Sequence, residues 1–194
     1  IPWPVTQVSA LAVLVAWVLL TGGLHLDGFG DSCDGLLAMV TPERRLEIMK
    51  DPRTGTWAVV GLLLLLLGKY VLIGAVAPVW LLVAPVIGRT AMVLAAYSFP
   101  HARTAGLGVY YRDGLGWNQL VAALLFTVVI LAVAGWLLEL RLLLAPGLLL
   151  LTVWAFGRWA AARLGGGLTG DIYGAICELT EVGCLLLALF FAPM

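Results

Sequence analysis

The sequence predicts an all-α integral membrane protein, a polytopic bundle of about six transmembrane helices in one domain spanning residues 1–194. Three observations carry this. Hydrophobic residue types make up 62% of the chain and charged ones only 11%, whereas soluble domains carry roughly 25% charged residues. The mean hydropathy is +1.06. The apolar residues also fall into runs of about 20, the length that crosses a ~30 Å hydrocarbon core as a helix, with polar stretches between them.

Taken in order, the chain starts at Ile1 rather than Met and is expected to lack an N-terminal segment of a longer product. No basic n-region with a small-residue cleavage site marks a signal peptide. Val5–Leu24 is the first span. His25 to about Gly55 is expected to form an Asp-rich polar loop, or in its first part a re-entrant helix. Thr56–Ala75 and Ala77–Phe99 are the next spans, the second kinked by Pro78 and Pro85. Pro100–Trp117 is a second polar loop. Asn118–Leu138 and Leu142–Ala161 form a hairpin of spans with its turn near Glu139 and Arg141. Leu164–Gly170 is a glycine-rich link, and Asp171–Ala192 is the last span.

Charge placement orients this bundle. Arg44, Arg45, Lys50, Arg53, Arg103, Arg112 and Arg163 lie in the odd-numbered loops and only Arg141 in the even-numbered ones. The positive-inside rule then places the odd loops in the cytoplasm. With 11 basic and 11 acidic residues the net charge is zero, which argues against a nucleic-acid partner. Cys33, Cys177 and Cys184 are odd in number and sit in or beside apolar segments, so they read as reduced thiols packed as small hydrophobes. Membrane lipid is the implied surrounding, and a homo-oligomer is compatible with the sequence. Polar groups gathered on one face suit an enzyme with soluble cytoplasmic substrates. A transporter would place its site near the midplane, commonly between repeated halves, and no convincing internal repeat is visible.

The chemistry concentrates at Gly22–Gly35. On a helix, Asp27, Asp31 and Asp34 share one face. Three clustered carboxylates call for a hard cation such as Mg²⁺, Mn²⁺ or Ca²⁺. Next to them, Thr41 and Pro42 start a short amphipathic helix that brings in Arg44, Arg45, Lys50 and Arg53. Acids beside bases suit a metal-bridged diphosphate, although the bases also satisfy the positive-inside rule. Arg53-Thr54-Gly55-Thr56 opens a helix whose free N–H groups favour an anion. On the last span Asp171, Gly174, Glu178 and Glu181 share a face. Asp171 and Glu178 are candidates for further metal ligands or the general base, while Glu181, Lys69 and Arg89 read equally well as a buried ion network or as substrate contacts. His25 is a candidate ligand or base, or an interfacial polar residue. His101 and Arg103, with Gly106-Leu107-Gly108, offer a second phosphate or nucleotide contact.

Three stretches carry a family resemblance: Leu20 to Gly35 (LTGGLHLDGFGDSCDG), Arg44 to Thr56 (RRLEIMKDPRTGT) and Gly166 to Ala175 (GGLTGDIYGA). They resemble the signature blocks of the cobalamin-5′-phosphate synthase family, also called adenosylcobinamide-GDP ribazoletransferase. Arg89 and Ala102–Gly108 fall where that family has its middle block. Phe29, Gly30, Ser32 and Cys33 replace residues that are more often Leu, Ala, Thr and Ala, and no carboxylate is lost. The family also has a further N-terminal region with at least one more apolar segment.

The resemblance implies a Mg²⁺-dependent transferase of the cytoplasmic (inner) membrane, with its active site facing the cytoplasm. It would join adenosylcobinamide-GDP to α-ribazole or its 5′-phosphate and release GMP. On this reading Asp27, Asp31 and Asp34 hold metal, Arg44, Arg45, Lys50, Arg53 and Arg103 hold phosphates, and Asp171, Glu178 or His25 handles the proton. Two other readings compete. Asp31 to Ala38 resembles the start of the CDP-alcohol phosphotransferase motif, but Met39 stands where that family has Arg. A divalent-ion or corrinoid transporter is the non-enzyme alternative.

Overall fold

The computed structural model describes residues 3–104, 106–137 and 145–190. In chain order the helices are α1 (Trp3–Thr21), α2 (Leu24–Leu37), α3 (Pro42–Ile48), α4 (Thr56–Ala75), α5 (Pro78–Ser98), α6 (Leu107–Asp113) and α7 (Trp117–Leu137). They are followed by α8 (Ala145–Leu151), a π-helical turn (Thr152–Phe156), α9 (Gly157–Arg163) and α10 (Gly170–Phe190).

The helix boundaries follow from local chemistry. Thr41 caps α3, accepting from the Arg44 N–H, with Pro42 at the first helical position. Pro78 likewise opens α5, where its missing N–H costs nothing. Pro85 lies inside that helix, which continues through it because neighbouring helices support the freed backbone within the bundle.

Helices α4, α5, α7 and α10 are each long and apolar enough to cross a membrane, and α1 with α2 forms a further pair bent by 89°. The six expected spans thus become, among the described residues, four uninterrupted helices, one bent pair and one stretch, Ala145–Arg163, divided by the π-helical turn. The turn expected near Glu139 and Arg141 lies outside the described residues. Between His25 and Gly55 the first part takes the helical alternative, as α2, and Thr41 and Pro42 start the expected short helix, α3, while the Pro100–Trp117 loop contains a helix that was not expected, α6.

Helix α10 is the axis of the bundle. Of the residues in its span 67% are buried, against 28% in α4 and in α7, so α4 and α7 present most of their apolar surface outward, as lipid-facing helices do. The polar segments gather at one end. Arg103 reaches the carbonyls of Leu46 and Met49 in and just after α3. His101 bridges to Leu168, and Arg163 donates to Leu36 O at the end of α2 (2.7 Å). The first, third and fifth polar segments therefore touch one another, as the distribution of basic residues predicts.

Candidate active site

Two glycines set the geometry. Gly22 and Gly23 join α1 to α2 at φ of 60° and 68°, a left-handed conformation that other residues adopt at a cost. This bend turns the chain away from the first span and across the bundle. There α2 meets α10 at backbone distance. A Cβ added at Gly28 would lie 2.9 Å from Asp171 O, and one at Gly174 would lie 3.1 Å from His25 O. Larger side chains would separate the helices, so the glycines bring Asp171 to the acidic face of α2. Asp31 is within electrostatic reach of Asp27, Asp34 and Asp171 alike.

These four acids have different surroundings. Asp34 accepts from the backbone N–H of Gly55 (2.7 Å) and Ala58 (2.9 Å). The anion expected at the start of α4 is thus a side chain of the protein itself. Asp171 pairs with Arg103 (3.1 Å) and accepts from the Thr169 hydroxyl (3.2 Å). Asp27, exposed, and Asp31, half-buried, make no hydrogen bond or ion pair among the described residues.

Among the described residues no three His, Cys, Asp or Glu side chains are gathered closely enough to hold a metal ion by themselves. The expected Asp27–Asp31–Asp34 set is therefore not a closed cage, because Asp34 is turned to α4. Mg²⁺, however, usually takes one or two carboxylates and completes its octahedron with water and substrate phosphate oxygens. Two hard oxygen donors without internal partners, Asp27 and Asp31, fit that manner of binding.

The basic residues divide in the same way. Arg45 is buried and donates to the carbonyls of Val40, Gly35 and Leu36, which closes the C-terminus of α2. That is a structural role in place of the expected phosphate contact. Arg44 is exposed and pairs with Glu47, one turn along α3. Arg53 is exposed and clamps Asp51 with two side-chain hydrogen bonds, holding that carboxyl at about 2. Lys50 is exposed. Arg103 is held beside Asp171 and the end of α3.

Two further groups were only partly foreseen. Deeper in the bundle, Lys69 pairs with Glu178 and Glu181, each at 2.5 Å, and lies 5.0 Å from the Trp17 ring centroid. Arg89 pairs with Glu181 on one side and approaches His25 Nδ1 on the other (3.3 Å). Glu178, expected as a base, is buried in this network, about 10 Å along α10 from Asp171 by helical rise. Near the polar end, His101 Nε2, Arg103 Nε and the Tyr173 hydroxyl are buried without a hydrogen-bond partner among the described residues. Burial also lowers the pKa of His101 below its ordinary value. The Arg89–His25 contact joins residues 64 positions apart, and no local pattern announces it.

A family model described as cobalamin-5-phosphate synthase matches residues 2–189. The chain belongs to the cobalamin-5-phosphate synthase family. It is 39% identical to the adenosylcobinamide-GDP ribazoletransferase of Roseiflexus sp. (strain RS-1), covering 96% of this chain and 69% of the relative. It is 44% identical to the protein of that name from Pseudomonas syringae pv. syringae (strain B728a), covering 93% and 74%. With its namesake in Klebsiella pneumoniae (strain 342) it shares 39% identity over 95% and 76%. No solved structure matches the chain. As a member of the cobalamin-5-phosphate synthase family the chain is a multi-pass membrane transferase, which agrees with its apolar helices.

Proposed function

We propose that the chain joins adenosylcobinamide-GDP to α-ribazole or its 5′-phosphate, releasing GMP, at the cytoplasmic face of the inner membrane. The observation that carries this reading is the pair of unpartnered carboxylates, Asp27 and Asp31, set against the Asp171–Arg103 pair at the polar end of the bundle. The names of the relatives supply the substrates.

The acceptor hydroxyl oxygen attacks the cobinamide-side phosphorus of the diphosphate. A new P–O bond forms, the bond from that phosphorus to the bridging oxygen breaks, and the bridging oxygen leaves with GMP. Arg103 and the exposed Arg44, Lys50 and Arg53 bind phosphate oxygens and orient the diphosphate for in-line displacement. Asp171 accepts the hydroxyl proton, and its pair with Arg103 holds the carboxylate in place for that task. Asp27 and Asp31 would hold Mg²⁺, which would supply further neutralisation of the diphosphate charge.

Purified protein in detergent, given adenosylcobinamide-GDP and α-ribazole 5′-phosphate, should form GMP only when acceptor and Mg²⁺ are both present. GMP formation from the diphosphate substrate without acceptor would reduce the protein to a hydrolase. CMP release from a CDP-alcohol, with none of GMP, would move it to the lipid-synthesis reading.

A further inference from the structure

His25 occupies the first turn of α2, two residues before Asp27, with its backbone against Gly174 of α10. Its ring has two described contacts, both at Nδ1: Arg89 Nη2 at 3.3 Å and Cys177 Sγ at 3.8 Å. A guanidinium has donors only. Facing Arg89, Nδ1 must therefore be the bare, accepting nitrogen, and the ring proton sits on Nε2. The single S–H of Cys177 is also within reach of Glu181 Oε1 (3.7 Å), so the thiol is compatible with either tautomer and the arginine decides between them.

The arginine is itself fixed. Arg89 lies in the middle of α5 and pairs with Glu181, which is fully buried and shared with Lys69. Glu178 completes a set of two cations and two anions. An arginine in this set cannot turn away from Glu181 without leaving a buried carboxylate short of a partner. The chain of contacts Lys69–Glu181–Arg89–His25 therefore fixes the imidazole from the bundle interior.

From this geometry we propose that Arg89 is a positioning residue which holds His25 as its Nε2–H tautomer, so that His25 serves the transferase site as a neutral hydrogen-bond donor to a substrate phosphate oxygen. This rests on the transferase reading above, and it changes the role expected of His25. A ring whose Nδ1 faces Arg89 and whose Nε2 carries the proton has no lone pair to offer an acceptor hydroxyl, so it is not the general base. A phosphate oxygen, which only accepts, matches the Nε2–H.

The chain has two histidines, His25 and His101, so ¹⁵N-histidine labelling resolves the tautomer directly, with His101→Gln assigning the signals. The expected spectrum shows a protonated Nε2 and a bare Nδ1 for His25 in the otherwise unaltered protein, and loss of that bias in Arg89→Leu. If Arg89→Leu does not fold, Arg89→Lys serves, since its single ammonium satisfies Glu181 and leaves Nδ1 without its donor. A dominant Nδ1–H form, or a tautomer indifferent to both substitutions, overturns the proposal.

Turnover supplies a second readout. The Gln amide places an N–H near the Nε2 position, so His25→Gln should keep GMP release within about tenfold. His25→Leu should lose roughly a hundredfold, the scale of one lost donor at a developing charge. Equal loss in both variants overturns the donor role. If the unsubstituted protein releases no GMP, the transferase reading fails, while the spectrum still reports whether Arg89 sets the tautomer.

Discussion

Asp34 binds the backbone N–H of Gly55 across 21 residues of sequence, at 2.7 Å, and with Ala58 as its second donor it caps α4 from outside the helix. A carboxylate at a helix N-terminus satisfies orphan donors and meets the positive end of the dipole. Asp34→Ala should therefore act on stability, removing about 1 kcal/mol, the ordinary worth of a side-chain cap. Thermal unfolding in detergent should fall by about 2–4 °C for a chain of this size. An unchanged midpoint accompanied by complete loss of Mg²⁺-dependent turnover would return Asp34 to the metal.

Asp31 should behave in the opposite way. It has no internal partner, and removing its charge relieves repulsion from Asp27, Asp34 and Asp171. Asp31→Asn is expected to keep or raise the unfolding midpoint while lowering GMP release by at least about a hundredfold, the scale on which a single charge-stabilising group acts. Near-normal turnover at saturating Mg²⁺ would show that the diphosphate charge is met elsewhere.

Arg44 and Arg45 are adjacent in sequence and opposed in role. Arg45 points inward to three carbonyls, and each buried carbonyl left unsatisfied costs about 1–3 kcal/mol. Arg45→Leu should therefore impair folding, seen as a lower midpoint and less protein recovered from membranes. Arg44→Ala should leave the midpoint unchanged and weaken apparent affinity for the diphosphate substrate. Unchanged affinity would mean that Arg44 serves membrane topology alone.

The spans were legible because their signals are local. An apolar run ending at Ala75, followed by Pro78, marks both helix ends, and α4 was read to the residue. Helix α2 was less legible as a helix because five of its 14 residues are polar or charged and three are glycine; packing against α10 and α4 stabilises it. The site residues were recognisable by type, since acids and bases in an apolar chain are expensive and few. Their division of labour was not. That Asp34 caps α4, that Arg45 closes α2, and that Arg89 meets His25 depends on contacts between distant segments, and a spacing rule reaches only about one helical turn.

The interior charges supply the most severe test of the fold. Lys69 on α4 is buried inside the bundle, and it is the shared partner of Glu178 and Glu181 on α10. Lys69→Met would leave two buried carboxylates with only Arg89 to answer them. Breaking a buried pair by removing one member costs about 3–5 kcal/mol, because an uncompensated charge remains. Lys69→Met alone should therefore yield little folded protein. Adding Glu178→Gln restores one cation to one anion, Arg89 to Glu181, and should recover much of the loss, since replacing both members of a buried pair is often close to neutral. Recovery would show that charge balance, rather than the lysine itself, is what α4 and α10 require. A double variant no better than the single one would instead place the requirement on Lys69, through its two hydrogen bonds and its contact with Trp17.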